Sequence, residues 1–89
     1  MNNLSQIITD RVYLGYWEEI KGIYRGFDKI EQQVSIFLSP IIDERIKNVQ
    51  CSAQLLKQFK KQDIHKNEKL AIIRTDIPEK QYLVRRILE

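Results

Sequence analysis

A stretch of aromatic and β-branched residues, interrupted by glycine, constrains this chain more than any other feature. Its aromatic and β-branched members are Val12, Tyr13, Tyr16, Trp17, Ile20, Ile23, Tyr24 and Phe27. Such residues favour β-strands, and the glycines inside the stretch, at positions 15, 22 and 26, are typical of bulges, bends or close backbone approaches. The sequence therefore predicts one long, bent strand that is interrupted at most once.

Two more strands are predicted next along the chain. Apolar and other side chains alternate over residues 33–39, and this period of two is typical of a strand. A turn at residues 27–31 precedes that strand, and Pro40 ends it because proline has no backbone N–H to donate. Residues 41–50 predict a loop that leads into a short third strand.

One helix and a final hairpin complete the predicted order. Residues 52–62 place apolar side chains on one helical face and lysines on the rest, and Ser52 is a candidate N-cap. Residues 69–75 and 81–87 have strand patterns, and residues 76–80 supply turn chemistry between them. The predicted order is therefore β-β-β-α-β-β.

Length and composition predict a single folded domain. The chain has 89 residues, which is enough for one hydrophobic core and too few for two. Its apolar fraction of 43% and charged fraction of 30% are ordinary for globular proteins, and this argues against disorder and fibrous structure. We expect residues 1–11 to form an N-terminal arm or short helix and residues 12–89 to form the domain.

Cysteine usage and hydropathy predict a cytoplasmic protein. Cys51 is the single cysteine and cannot form an internal disulfide, which fits a reducing compartment. The first ten residues lack the basic region and apolar run of a signal peptide. No stretch approaches the roughly 18 apolar residues of a membrane span, so no membrane partner is expected.

The predicted order resembles that of the OB-fold, a small five-stranded barrel with a long, glycine-bent first strand and a helix between its third and fourth strands. The resemblance covers residues 12–88 and is carried by residues 19–28, the helix at 52–62 and the polar turn before residues 69–72. It implies a mainly β fold with one helix, closed into a barrel. It also implies binding of single-stranded nucleic acid or oligosaccharide, and many such domains bind proteins instead.

A second resemblance is to Sm-like RNA-binding barrels. Residues 22–28, with the sequence GIYRGFD, are similar to the glycine-x-x-x-glycine-x-aspartate part of that family's first motif. The chain departs from the family because Gln32 or Gln33 replaces an asparagine and Thr75 replaces a glycine. A helix-length segment also separates the two regions, so the Sm-like barrel is the second choice of fold.

Aromatic and basic residues are the candidate contacts for nucleic acid, because rings stack on bases and cations attract phosphates. We predict a nucleic-acid-binding set of Trp17, Tyr24, Arg25, Lys47, Arg74, Tyr82 and Arg85. Tyr16 and Phe37 are further stacking candidates. Arg74 and Arg85 belong to the two strands of the predicted hairpin, so we expect them to share a face near Tyr82.

Each of these assignments has a structural alternative. Aromatic side chains dominate small cores, and Phe37 and Phe59 are expected there. Arginines on edge strands also discourage edge-to-edge association, and the lysines of the predicted helix are expected to form a solvated face. Glu18 and Glu19, beside Trp17, argue against nucleic acid because carboxylates repel phosphate.

Charge is distributed unevenly along the chain, whose net charge is +3. Residues 1–50 hold six Lys and Arg against seven Asp and Glu, a net of −1, whereas residues 51–89 hold nine against five, a net of +4. The C-terminal half therefore carries a basic surface. That surface either contacts an anionic partner or serves solubility.

No motif for catalysis, a metal or a cofactor is recognised. His65, the only histidine, lies in a polar turn and is expected at the surface. Cys51 is either a buried, inert residue or a thiol activated by the N-terminus of the predicted helix. Since no glycine-rich phosphate loop or metal-spaced cluster is present, we expect no enzymatic activity and no cofactor.

Two functions follow from these observations. The first is a single-stranded RNA- or DNA-binding barrel, and the second is a protein-interaction or assembly module that uses the Tyr- and Trp-rich first strand. Salt distinguishes them, because counterion release weakens nucleic-acid binding whereas an apolar interface tolerates salt. A core this small can require association for stability, so we expect a homo- or hetero-oligomer.

Overall fold

Six strands and one helix make up the described part of the protein, in a computed structural model that describes residues 10–40 and 45–88. The elements are β1 (Asp10–Val12), β2 (Glu19–Ile30), β3 (Gln33–Ser39), β4 (Lys47–Ser52), α1 (Gln54–Lys61), β5 (Lys69–Arg74) and β6 (Tyr82–Arg86), with a short 3-10 helix at Pro78–Lys80. The mainly β fold with one helix is confirmed. The strands form one sheet in the order β1-β4-β3-β2-β5-β6.

Strand β2 joins the two halves of the sheet. Its N-terminal half pairs antiparallel with β5, and its C-terminal half pairs antiparallel with β3. A bulge between Tyr24 and Gly26 bends the strand, and Gly26 has a φ of 124° that side-chain-bearing residues rarely adopt. The interruption of the predicted strand lies at residues 13–18, which form no strand.

The apolar core lies between one face of the sheet and α1. Its fully buried members are Val34, Ile36, Leu38, Val49, Leu55, Leu70 and Ile72. The helix contributes Leu55 and Phe59, and burial of each such side chain stabilises the fold by about 1.5–3 kcal/mol. Phe59 is part of this core, as predicted, whereas Phe37 is buried on the opposite face of β3 and lies outside the core cluster.

Helix α1 has the predicted position but a different start. Ser52 is the last residue of β4, and Ala53 occupies the N-cap position without a side-chain hydrogen bond, so the prediction of Ser52 as the cap is wrong. Lys57, Lys60 and Lys61 are exposed, as expected of a solvated face. Within residues 10–40 and 45–88, no helix has the length and apolar character needed to cross a membrane.

The sheet is open, so the closed five-stranded barrel that the sequence predicts is not what the structure contains. The free edge of β6 faces α1 instead of another strand. Gln58 Nε2 donates to the Tyr82 carbonyl oxygen at 2.6 Å, and the Val84 N–H donates to Gln58 Oε1 at 3.1 Å. Gln62 Nε2 donates to the Val84 carbonyl oxygen at 3.0 Å. Because these amides satisfy the backbone of β6 as a neighbouring strand would, the edge has no need of a further strand.

Strand β1 forms the opposite edge and was not predicted. Asp10, Arg11 and Val12 pair in parallel with Lys47, Asn48 and Val49 of β4. Lys47 Nζ lies 2.7 Å from Asp10 Oδ2, and this ion pair connects the two strands. Asp10 and Arg11 thus belong to the sheet, and the predicted arm otherwise lies outside the described residues.

Candidate aromatic and arginine site

Residues 13–18, between β1 and β2, present three aromatic side chains to solvent. Tyr13, Tyr16 and Trp17 are 70%, 66% and 54% exposed, whereas Leu14 is buried in the core. Leu14 anchors the segment while its neighbours remain at the surface. Clustered exposed aromatic side chains are typical of binding surfaces, so this segment is the starting point of the candidate site.

A tight turn holds Trp17 in a strained conformation. The Glu18 N–H donates to the Gly15 carbonyl oxygen at 3.1 Å, and the Gly15 N–H donates to the Glu18 carboxylate. Trp17 has a φ of 64°, in the left-handed region, where a side chain costs roughly 1–2 kcal/mol. The exposed ring gains little burial in the core that would offset this cost.

Arg74 lies between two tyrosine rings. Its guanidinium carbon is 4.8 Å from the centre of the Tyr16 ring and 5.7 Å from the centre of the Tyr82 ring, both within cation–π range. Arg74 Nη1 donates to the Leu14 carbonyl oxygen at 3.0 Å, and the Trp17 N–H donates to the Arg74 carbonyl oxygen at 2.6 Å. These contacts tie residues 13–18 to the hairpin of β5 and β6. We call Tyr16, Trp17, Arg74 and Tyr82 the Arg74 cluster.

The charge of Arg74 has no carboxylate partner among the described residues. Its Nε is buried, and no acceptor for its hydrogen lies among the described residues. Burial raises the pKa of the Tyr82 hydroxyl, and the positive charge of Arg74 opposes this more weakly. Tyr82 therefore stays neutral at physiological pH, and the cluster keeps a net positive charge.

The carboxylates beside Trp17 are already engaged. Glu18 accepts the hydrogen bond that closes the turn. Glu19 lies 3.5 Å from Arg85 Nη2 and 3.9 Å from Lys21 Nζ. Since nearby cations offset the charge of Glu19, the repulsion of an anionic ligand is smaller than the sequence alone suggests.

Three of the seven predicted contact residues meet in the Arg74 cluster: Trp17, Arg74 and Tyr82. Tyr16 joins them, although it was only a stacking candidate. The contribution of the Leu14 backbone was missed, because a carbonyl contact leaves no signal in the sequence.

Two of the remaining predictions need correction. Tyr24 is only 5% exposed, and its ring centre lies 4.9 Å from that of Phe59, so it belongs to the core and offers no stacking surface. Arg85 pairs with Ala71, whereas Tyr82 pairs with Arg74. Because side chains alternate between the faces of a strand, Arg85 lies on the opposite face from Arg74 and Tyr82, and the expectation of a shared face is wrong.

Arg25 and Lys47 lie elsewhere and already have partners. Arg25 is exposed, and it donates to Asn67 Oδ1 at 2.6 Å and to Ser39 Oγ at 3.1 Å. Lys47 is bound to Asp10 at the edge of the sheet. Neither residue is part of the Arg74 cluster.

Cys51 and His65 differ in their exposure to solvent. Cys51 is buried on β4, and burial raises its pKa to about 12, which supports the inert alternative. His65 is at the surface, as predicted, with Nε2 3.1 Å from Asp63 Oδ1. In the described ranges, no group of three His, Cys, Asp or Glu side chains is placed to hold a metal ion. No protein family, curated protein or solved structure matches this chain.

Proposed function

We propose that this protein binds single-stranded nucleic acid through the Arg74 cluster and has no enzymatic activity. The observation that carries the proposal is the exposed pair of rings, Tyr16 and Trp17, beside a guanidinium without a carboxylate partner. Bases stack on such rings whatever their sequence, and the cation attracts the backbone. The net charge of +3 favours an anionic ligand as well.

The strand connections support an OB-like architecture as part of the same proposal. Strand β2 pairs with both β3 and β5, β4 pairs with β3, and β6 pairs with β5. Helix α1 lies between β4 and β5 along the chain, as the OB-fold resemblance implies. The helix at this point favours the OB-like arrangement over the Sm-like one.

A second candidate function is protein interaction. The observation that favours it is the commitment of Arg74 to two rings and to the Leu14 carbonyl oxygen, which leaves only part of its charge for a phosphate. Arg86, four residues after Tyr82 on the same face of β6, is bound to Glu68. Exposed tyrosine and tryptophan are also the residues that dominate protein interfaces.

Titration of Trp17 fluorescence with single-stranded RNA and DNA of about 10–20 nucleotides tests the proposal, because Trp17 is the only tryptophan. A stacked base contributes about 1–3 kcal/mol, so Trp17→Ala should weaken binding of labelled strands by roughly 5- to 150-fold. Phe27→Ala is the matched control, since Phe27 is 49% exposed and lies outside the cluster. Its affinity should equal that of the wild type.

Salt separates the two functions. Each phosphate contact contributes a slope of about −0.7 to the plot of log affinity against log salt concentration. If neither polymer binds even at low salt, the nucleic-acid function is wrong. Equal losses of affinity for nucleic acid in Trp17→Ala and Phe27→Ala would show that binding does not use the Arg74 cluster.

A further inference from the structure

A concave surface, separate from the Arg74 cluster, lies on the outer face of the sheet, opposite the core. Strands β1 to β4 and residue 13 line it, and we call it the outer groove. Its main lining residues are Arg11, Tyr13, Asp28, Ile30, Ser35 and Gln50. None of them takes part in the Arg74 cluster.

Three polar side chains cross the floor of the outer groove in one row. Asp28 pairs with Ser35, and Ser35 pairs with Gln50, so all three share a face. Gln50 Nε2 donates to Asn48 Oδ1 at 2.6 Å and to Ser35 Oγ at 3.2 Å. These bonds fix the orientation of the amide before any ligand arrives, which lowers the entropy cost of binding.

Two large hydrophobic side chains also line the groove, and two of its charged groups have no ion-pair partner among the described residues. Tyr13 and Ile30 are each 70% exposed. Arg11 and Asp28 are also exposed, and neither forms an ion pair with another described residue. A stacking ring, an anion-binding cation and a hydrogen-bond acceptor therefore line one groove.

We propose that the outer groove binds one guanine nucleotide of the single-stranded nucleic acid and that Asp28 determines the preference for guanine. The inference rests on the proposed function. An ionised carboxylate only accepts hydrogen bonds, and it can accept two in parallel. Guanine offers two adjacent donors, N1–H and the N2 amino group, on its Watson–Crick edge. Adenine and cytosine place a ring acceptor beside their amino group, and uracil has one N–H between two carbonyls, so each fits a carboxylate less well.

The other two groups complete the recognition of a nucleotide. Tyr13 stacks on the base, and Arg11 contacts a phosphate. Tyr13 precedes Tyr16 by three residues, so their Cα atoms are at most about 11 Å apart. One nucleic-acid strand is therefore able to contact both the outer groove and the Arg74 cluster.

Fluorescence anisotropy with two labelled oligouridylates, one with a central guanosine and one with a central adenosine, tests this inference. The wild type should prefer the guanosine oligomer by about 5- to 150-fold, the range of a bidentate base contact. Asp28→Asn should bring the two affinities to within about twofold without weakening the adenosine oligomer, since an amide presents one donor with one acceptor. Asp76→Asn, at an exposed carboxylate outside the groove, is the matched control and should keep the preference.

The outcomes separate the two proposals. Equal affinity of the wild type for both oligomers would overturn guanine specificity and leave the proposed function standing. A guanosine preference that survives Asp28→Asn would overturn the role of Asp28. Absence of binding to either oligomer at low salt would overturn both proposals together. Circular dichroism of each variant shows that the fold is retained.

Discussion

Replacing Gln58 with alanine should destabilise the domain by about 2 kcal/mol. The Gln58 amide donates to the Tyr82 carbonyl oxygen and accepts from the Val84 N–H, so its loss removes two hydrogen bonds from the edge of β6. Each such bond contributes about 1 ± 0.5 kcal/mol net. Gln58 is partly buried, so water compensates the freed backbone groups only in part.

Urea and thermal unfolding measure this change. In a domain of this size, 1 kcal/mol corresponds to about 4–8 °C, so the Tm of Gln58→Ala should fall by roughly 8–16 °C. Hydrogen exchange at the Val84 amide should become faster. Lys57→Ala is the matched control, because Lys57 is an exposed neighbour on the same helix, and its stability should stay within about 0.5 kcal/mol of the wild type.

Gln58→Glu tests the chemistry of the contact. At neutral pH the carboxylate still accepts from the Val84 N–H, but it has no hydrogen to donate to the Tyr82 carbonyl oxygen. The variant should therefore be less stable than the wild type and recover partly in acid. If Gln58→Ala proves as stable as Lys57→Ala, the helix does not satisfy the edge of β6, and our explanation of the open sheet is refuted.

Three further predictions concern single residues. Trp17→Gly should unfold at the same urea concentration as the wild type or a higher one, because glycine tolerates a positive φ, whereas Trp17→Val should lose roughly 1 kcal/mol or more. Cys51, with a pKa raised to about 12, should react with an alkylating reagent at pH 8 only when urea unfolds the chain. The hydrogen bond from Arg86 lowers the pKa of the Glu68 carboxyl, so this ion pair stabilises the fold above the ordinary value of 4.5 and is lost as pH falls through the lowered pKa. Unfolding of Glu68→Gln should accordingly depend less on pH below 4.5 than that of the wild type.

Each of these predictions has a contrary outcome. Equal stability of the Gly and Val variants would remove the evidence for strain at Trp17. Rapid alkylation of Cys51 in buffer would mean that the thiol is accessible in the folded state. Parallel acid-unfolding curves for Glu68→Gln and the wild type would show that the pair with Arg86 does not contribute.

The local sequence pattern was sufficient to predict the elements whose periodicity or turn residues are visible within a short segment. The glycine-bent strand, the alternating residues of β3, the helix and the final hairpin were all predicted, because periodicity and turn residues act over a few positions. Surface exposure of His65 followed from the same local chemistry, whereas the sequence left two alternatives for Cys51 and only the structure shows that it is buried. The open sheet was not predicted, because the edge of β6 is hydrogen-bonded by Gln58 of α1 and by Gln62 directly after it, both more than 20 residues away in the chain.

Strand β1 was beyond local reasoning for a similar reason. It has three residues, and its extended conformation depends on pairing with β4. The contact between Asp10 and Lys47 joins residues that are 37 positions apart in the chain. The faces of Arg74 and Arg85 also depend on the register between β5 and β6, which no short segment contains.

The sequence by itself determined which residues are able to stack on a base or attract a phosphate, because those properties belong to the side chain. Tertiary structure decided which of them face a ligand. Tyr24 and Trp17 have similar chemistry, yet the first ring is buried against Phe59, whereas the turn closed by Glu18 leaves the second in solvent. Exposure depends on what packs against a side chain, and that is settled only when distant segments meet.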